Sequence, residues 1–186
     1  MPLRLLREEG FEPTILWSNP NIQPEAEHAH RLETMLDWAA GVGGVEVIVA
    51  GDDRDAWERA VAPRWDDRGS RCRACYALRL AELCRAAVER GFTHVSTTLA
   101  VSPYQLFDTC TEVLEATAAA HGLTAVVRDF RPWYPEAVGA AKELGLYRQQ
   151  YCGCRFSAAE AAVERQQARD ARKAARAAAR GEEFSG

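Results

Sequence analysis

The sequence contains no G-x-x-x-x-G-K-[ST] and no G-x-G-x-x-G. Both common backbone cradles for phosphate are therefore missing, and no nucleotide cofactor is expected. It also lacks G-x-S-x-G and H-E-x-x-H, which removes the hydrolase nucleophile elbow and the zinc-protease helix. No apolar run approaches the roughly 20 residues of a membrane helix, so no membrane partner is expected. Positive charge is not in surplus: the formal net charge is -4, and any nucleic-acid binding has to come from a local patch. Histidine is scarce, with four residues. His28 and His30 fall at the exposed start of a predicted helix, His94 in a strand and His121 at a helix end, and none is assigned to a metal. Met1 to Gly10 holds no apolar signal-peptide core, so the expected location is the cytoplasm. There, paired cysteines read as metal or redox groups rather than as a disulfide scaffold.

What is present suffices for a folded domain. The chain has 186 residues, of which 47% are hydrophobic and 27% charged, enough for one real core. Short apolar runs at Thr14–Trp17, Val45–Val49, Phe92–Thr98 and Thr124–Val127 read as strands. Segments of helical period alternate with them: Glu25–Ala40, a short one carrying Trp57, one ending near Arg90, Gln105–His121 and Glu136–Leu144. Alternation of this kind predicts an α/β domain with a parallel, doubly wound, Rossmann-like sheet in three layers over residues 1–157. In such domains ligands sit beyond the carboxyl ends of the strands. The loops Asn19–Pro24, Ser102–Gln105 and Asp129–Tyr134 lie at such ends, as does the approach to Cys72. The chain opens in what reads as the later part of a helix, so a strand and loop are expected ahead of Pro2. Residues 158–186 form an Ala/Arg-rich tail. Six basic residues (165, 169, 172, 173, 176 and 180) accompany one acidic residue, Asp170, between Arg165 and Arg180. A solvated helix that frays before Gly181 is expected there, with a nucleic-acid arm as the alternative.

The chemistry concentrates in the cysteines. Cys72 and Cys75 form a C-x-x-C where a polar loop, Arg64–Gly69, meets a helix. At a helix start, both thiols share one side of the first turn, and the free amides favour the thiolate. Cys152 and Cys154 form a C-G-C. Residues two apart can reach disulfide range, about 4.4–6.8 Å between Cα atoms, and Gly153 supplies the freedom so small a ring demands. A bridge there would be strained and readily reduced, which suits a redox couple. Four thiolates on one structural zinc ion are the competing reading of the same spacing. Cys84 and Cys110, among apolar helical residues, read as small buried hydrophobes. Asp129 and Tyr104 are candidate proton donors at strand ends, and Trp133 and Tyr134 candidate stacking groups for a base.

Several stretches occur together in a fixed order: Asn19-Pro20-Asn21-Ile22-Gln23-Pro24, Arg71-Cys72-Arg73-Ala74-Cys75-Tyr76, Ser96-Thr97-Thr98-Leu99 to Ser102-Pro103-Tyr104-Gln105, Asp129-Phe130-Arg131, and Tyr147-Arg148-Gln149-Gln150-Tyr151-Cys152-Gly153-Cys154 with Phe156-Ser157. In this register, from about Leu3 to Ser157, the chain resembles the QueH-type epoxyqueuosine reductases. The resemblance implies an oxidoreductase that reduces epoxyqueuosine to queuosine in the anticodon loop of tRNA, without cobalamin, fed by an electron donor not identified by the sequence. It implies that Cys72 and Cys75 are ligands of a 4Fe-4S cluster, with an additional iron conceivable, and that Cys152 and Cys154 form a redox-active disulfide. The family opens with a strand ending in a Cys-Cys pair that supplies the other two ligands, and no cysteine precedes Cys72 here. Since cubanes normally take four cysteines, poor cluster binding by this chain is expected. The rival expectations are a structural zinc module for RNA or protein, a tRNA-thiolation enzyme on a similar fold, and a degenerate relative without a cluster.

Overall fold

A computed structural model describes residues 1–183, with the backbone alone at 100 and 176–183. Seven helices and four strands alternate along it. The order is α1 (Pro2–Glu8), β1 (Ile15–Trp17), α2 (Glu25–Val42), β2 (Val47–Val49), α3 (Arg54–Val61), α4 (Arg68–Glu89), β3 (His94–Val95), α5 (Phe107–Ala120), β4 (Thr124–Ala125), α6 (Tyr134–Glu143) and α7 (Arg155–Glu183). Short 3-10 turns at Ala62–Arg64, Leu99–Val101 and Arg131–Trp133 join some of them. The predicted α/β alternation and the parallel pairing are both present.

The strands pair in two separate sets. β1 runs parallel to β2, with Ile15 opposite Val47 and Trp17 opposite Val49, and β3 runs parallel to β4, with Val95 opposite Ala125. The expected continuous doubly wound sheet is thus two two-stranded pieces. The strands are two or three residues long, and their edges stay open: Val49 is 49% exposed, and His94 and Thr124 face solvent. A central strand of a parallel sheet is buried on both faces, and these residues do not meet that condition.

The main core lies between α4, α5 and the β3–β4 pair. Tyr76, Leu80, Cys84 and Ala87 recur along one face of α4 and meet Cys110, Val113, Leu114 and Ala118 of α5, with Val95 beneath. Cys84 and Cys110 are 0% exposed, as the apolar spacing around them implied. Burial of Leu80, Leu114, Val113 and Val95, at about 1.5–3 kcal/mol each, fixes α4 as the rigid element that carries Cys72 and Cys75.

The tail is one long helix. α7 extends through Glu183, past the expected break near Gly181. Propensity accounts for this, because Ala, Arg, Gln and Glu are all strong helix formers. Its first turns are docked on the body. Arg71 pairs with Glu160 and Arg155 with Glu58, while Phe156 lies 6.5 Å from Trp57, centroid to centroid. From Ala162 to Ala175 every residue is exposed. Arg165, Arg169, Arg172 and Lys173 project into solvent, and the side chains of Arg176 and Arg180 lie outside the described residues.

Candidate active site

Asp67 decides where α4 begins. Its carboxylate accepts from the amides of Gly69 (2.9 Å) and Ser70 (3.3 Å) and from the Ser70 hydroxyl. The hydrogen bonds from Ser70 and Gly69 hold its pKa below the usual carboxylate value. This is an N-cap, and it starts the helix at Arg68, several residues ahead of the C-x-x-C. Cys72 and Cys75 therefore lie in the second and third turns rather than the first. The free amides of the first turn donate to Asp67 instead, and the expected electrostatic lowering of these two thiols is overturned. Burial acts instead and pushes each up to about 11. For Cys72 the nearby Cys152, Cys75 and Cys154 add to the rise. For Cys75, Arg79 and the hydrogen bond from Trp57 oppose it.

Side-chain contacts bring the second cysteine pair beside the first: Arg71, next to Cys72, stacks over the ring of Phe156 at 4.7 Å and pairs with Glu160, and Trp57, which contacts Cys75, lies 6.5 Å from Phe156. The two motifs, far apart in the chain, meet at one place. All four cysteines are free thiols and half-buried. Trp57, itself buried on α3, donates its indole N–H to Cys75 Sγ at 3.3 Å. One turn after Cys75, Arg79 donates to the Ser18 carbonyl (3.0 Å) and to Asn19 Oδ1 (2.6 Å). That contact fastens the loop after β1 to the thiol-bearing helix. Tyr76 donates its hydroxyl to Gln105 Oε1 at 2.7 Å. Its burial, with the charge of Cys72 next, raises its pKa well above the ordinary tyrosine value.

The C-G-C loop is held from the other side by the Asn19–Pro24 loop and α2. Gln23 N donates to the Gly153 carbonyl at 2.9 Å, and Tyr151 OH donates to the Gln23 carbonyl at 2.8 Å. Gly153 has φ +130°, and a Cβ there would stand 2.9 Å from Ile22 Cγ1 and 3.1 Å from Asn21 Nδ2. Cys154 directly precedes α7, and Ser157 N–H points at its sulfur at 3.4 Å. The helix-start position foreseen for Cys72 and Cys75 is thus occupied by Cys154.

Other expectations change. Tyr104 is 71% exposed, with nothing to hold its hydroxyl at the thiols. Asp129 is exposed and bound to Arg131, whose hydrogen bond lowers its pKa. Its carboxylate is held ionised in that pair, which leaves it no proton to give. His28 is not a surface residue: its Nε2 lies 2.5 Å from Asp52 Oδ2, with both side chains 12% exposed. Asn21, wholly buried with Nδ2 and Oδ1 unpartnered, and Arg31, buried on α2, are the site-shaping residues missed in the sequence. Glu27-x-x-x-Arg31 has the spacing of an ordinary surface ion pair.

A 4Fe-4S cluster is the group these thiols are expected to hold. Cys72 and Cys75 suit it as two ligands: they are soft donors on one face of a rigid helix, and Cys75 already carries a hydrogen bond of the kind that tunes ligating sulfur. Among the described residues, no three Cys, His, Asp or Glu side chains are gathered in a ligating group, either for a cubane or for a four-thiol zinc ion. The fit is therefore two ligands of four.

A stability profile follows from the thiols. In the reduced, metal-free protein, Cys72, Cys75 and Cys110 sit at about 11, against an ordinary 9.0. The folded state favours the neutral thiol, so this contribution is complete below pH 9 and lost as pH rises toward 11. Urea denaturation across pH 8 to 11 should show stability falling over that window. A flat profile would contradict it.

Comparison with known proteins shows the family. The family model for "Epoxyqueuosine reductase QueH" matches residues 1–160. A protein of that name from Dehalococcoides mccartyi is 34% identical over 151 residues, covering 81% of each chain. One from Thermotoga maritima is 33% identical over 149 residues, covering 76% of this chain and 77% of its own. One from Haemophilus influenzae is 28% identical over 159 residues, 80% of this chain and 62% of its own. With α4, the C-G-C loop and the first turn of α7 all inside the matched region, this chain belongs to the epoxyqueuosine reductase QueH family.

Proposed function

We propose that this chain is an oxidoreductase that reduces epoxyqueuosine to queuosine in tRNA, in the cytoplasm. Cys152 and Cys154 act as its two-electron reductant. Family membership supports the reaction, and the packing of the segment after Cys154 against the Cys72–Cys75 helix through Phe156, Arg71 and Trp57 is the single observation that supports the site assignment.

The electron count balances within the dithiol. Two thiols and one epoxide become one disulfide, one alkene and one water. The S–S bond forms, both C–O bonds of the epoxide break and the C=C bond forms. The two thiol protons leave with the oxygen as water. No separate proton source is required by this balance, which removes the need for Asp129 or Tyr104. The disulfide is then reduced by an external electron donor for the next turnover.

Cys72 and Cys75 would hold the iron–sulfur cluster as two of its ligands. That group, when bound, supplies one-electron transfer and an electron-accepting iron. The protein's own contribution is position. α4 is locked in the core, and Trp57 and Arg79 constrain the Cys75 side of the site. Burial around these thiols limits water near the reacting atoms. The tRNA backbone would meet the exposed Arg165, Arg169, Arg172 and Lys173, which share one face of α7 at helical spacing.

The test is direct. The chain is reconstituted anaerobically with iron and sulfide and given tRNA bearing epoxyqueuosine, with dithionite as reductant. Nucleosides are then read by mass spectrometry. Queuosine formation is expected in proportion to the iron and sulfide retained, so that a low iron content gives correspondingly low turnover. An unchanged epoxide, with iron bound and tRNA shown to bind, would overturn the assignment.

A further inference from the structure

Arg31 is a buried cation in a place that surface pairing does not explain. Its side chain is 6% exposed. Removing a guanidinium from water is costly unless its donors are met, and here they are. Nε donates to Glu27 Oε1 at 2.7 Å. NH1 donates to Gln149 Oε1 at 2.5 Å and to the Cys152 carbonyl at 3.1 Å. NH2 donates to the Tyr151 carbonyl at 3.3 Å, and the guanidinium carbon lies 5.0 Å from the centre of the Tyr151 ring. Burial works against the charge of Glu27, yet hydrogen bonds from Arg31 and Tyr147 still hold its carboxyl below the usual value.

Three of these contacts fall on residues 149, 151 and 152, the stretch that leads into the C-G-C loop. Just beyond, NH1 stands 3.2 Å from where a Cβ on Gly153 would be. Only a planar fork of five donors reaches a carboxylate, an amide and two carbonyls at once. The remaining face of the loop is held by the Gln23 amide and lies against the buried Asn21. The loop is gripped at its backbone, which leaves the two sulfurs free for chemistry.

We infer that Arg31 is the positioning residue of the Cys152–Cys154 couple: it sets the backbone of the loop and biases the pair toward its reduced form. This rests on the reading of Cys152 and Cys154 as a redox couple. The backbone conformation that Arg31 holds is one in which both sulfurs are free thiols, so closing the bridge works against its contacts to the Tyr151 and Cys152 carbonyls and the couple becomes more oxidising. A ring closed over three residues is also sensitive to the peptide orientation that Arg31 sets at Cys152.

The test is a glutathione titration of the full chain, wild type against Arg31→Met and Arg31→Lys. The exchange balances as two protein thiols plus one oxidised glutathione giving one protein disulfide plus two reduced glutathiones. Free thiols are alkylated, and the peptide holding residues 152–154 is read by mass spectrometry. Arg31→Met should move the equilibrium toward the disulfide by about tenfold, equivalent to about 30 mV. Arg31→Lys, which keeps the charge but loses the fork, should move it about threefold in the same direction. If Arg31→Met does not fold, Arg31→Lys carries the test. A wild type that titrates together with folded variants that do not shift overturns the role of Arg31 and leaves the couple standing. A wild type that forms no Cys152–Cys154 disulfide at any ratio overturns the couple itself, and this inference with it.

Discussion

Cys152→Ser and Cys154→Ser should each abolish formation of queuosine from epoxyqueuosine in tRNA, while the protein stays folded. Serine preserves the size and loses the redox chemistry, so neither variant can deliver two electrons. Both positions are half-buried in a loop, and no core contact depends on their sulfur. Melting temperatures should therefore stay close to wild type. The contacts through the Cys152 carbonyl and the Gly153 carbonyl involve backbone and survive both changes. The two variants should also fail to form the intramolecular disulfide on oxidation. Anaerobic turnover followed by nucleoside mass spectrometry checks the first expectation, and thiol counting checks the second. Wild-type turnover in either variant would show that the C-G-C pair is not the reductant.

Gly153→Ala should reduce both stability and turnover. At φ +130° a side chain is strained whatever space surrounds it, and such conformations cost about 1–3 kcal/mol. Space is lacking as well: the new Cβ would stand 2.9 Å from Ile22 Cγ1, 3.1 Å from Asn21 Nδ2 and 3.2 Å from Arg31 NH1. Relief requires the loop to move away from α2, which breaks the Gln23-to-Gly153 hydrogen bond and pulls Cys152 from Arg31. A loss of about 1–3 kcal/mol in urea denaturation is expected, with turnover falling further than stability alone explains. Gly145→Ala is the control. It also has positive φ, at +65°, but nothing lies within 4 Å of its added Cβ. It should cost stability without touching the thiols, so equal losses of turnover in the two variants would contradict the close approach at Gly153.

Much of this was readable from residue order. The alternation of strands and helices, the apolar faces of α4 and α5, and the two cysteine motifs follow from periodicity and spacing. The start of α4 was not readable, because Arg64–Gly69 has no apolar period and looks like loop. Its helix signal is the single carboxylate of Asp67, which also moved the C-x-x-C away from the amides expected to act on it. Arg31 was hidden for a different reason. Its partners Gln149, Tyr151 and Cys152 lie about 120 residues away, and only the folded chain brings them together. His28 looked exposed because its helix is amphipathic, yet Asp52 waits at the end of β2. In each case local pattern described the element, and a distant polar partner decided the side chain's role.

The junction at Cys154 has a mechanical meaning. The cysteine adjoins a 29-residue rod, about 43 Å long at 1.5 Å per residue. The rod is clamped near that end by Arg71–Glu160 and Arg155–Glu58. A tilt of about 5° at the clamp would sweep the far tip through nearly 4 Å over that length. The residue that ends the C-G-C loop and the base of the basic helix are therefore held by one and the same pair of ion pairs.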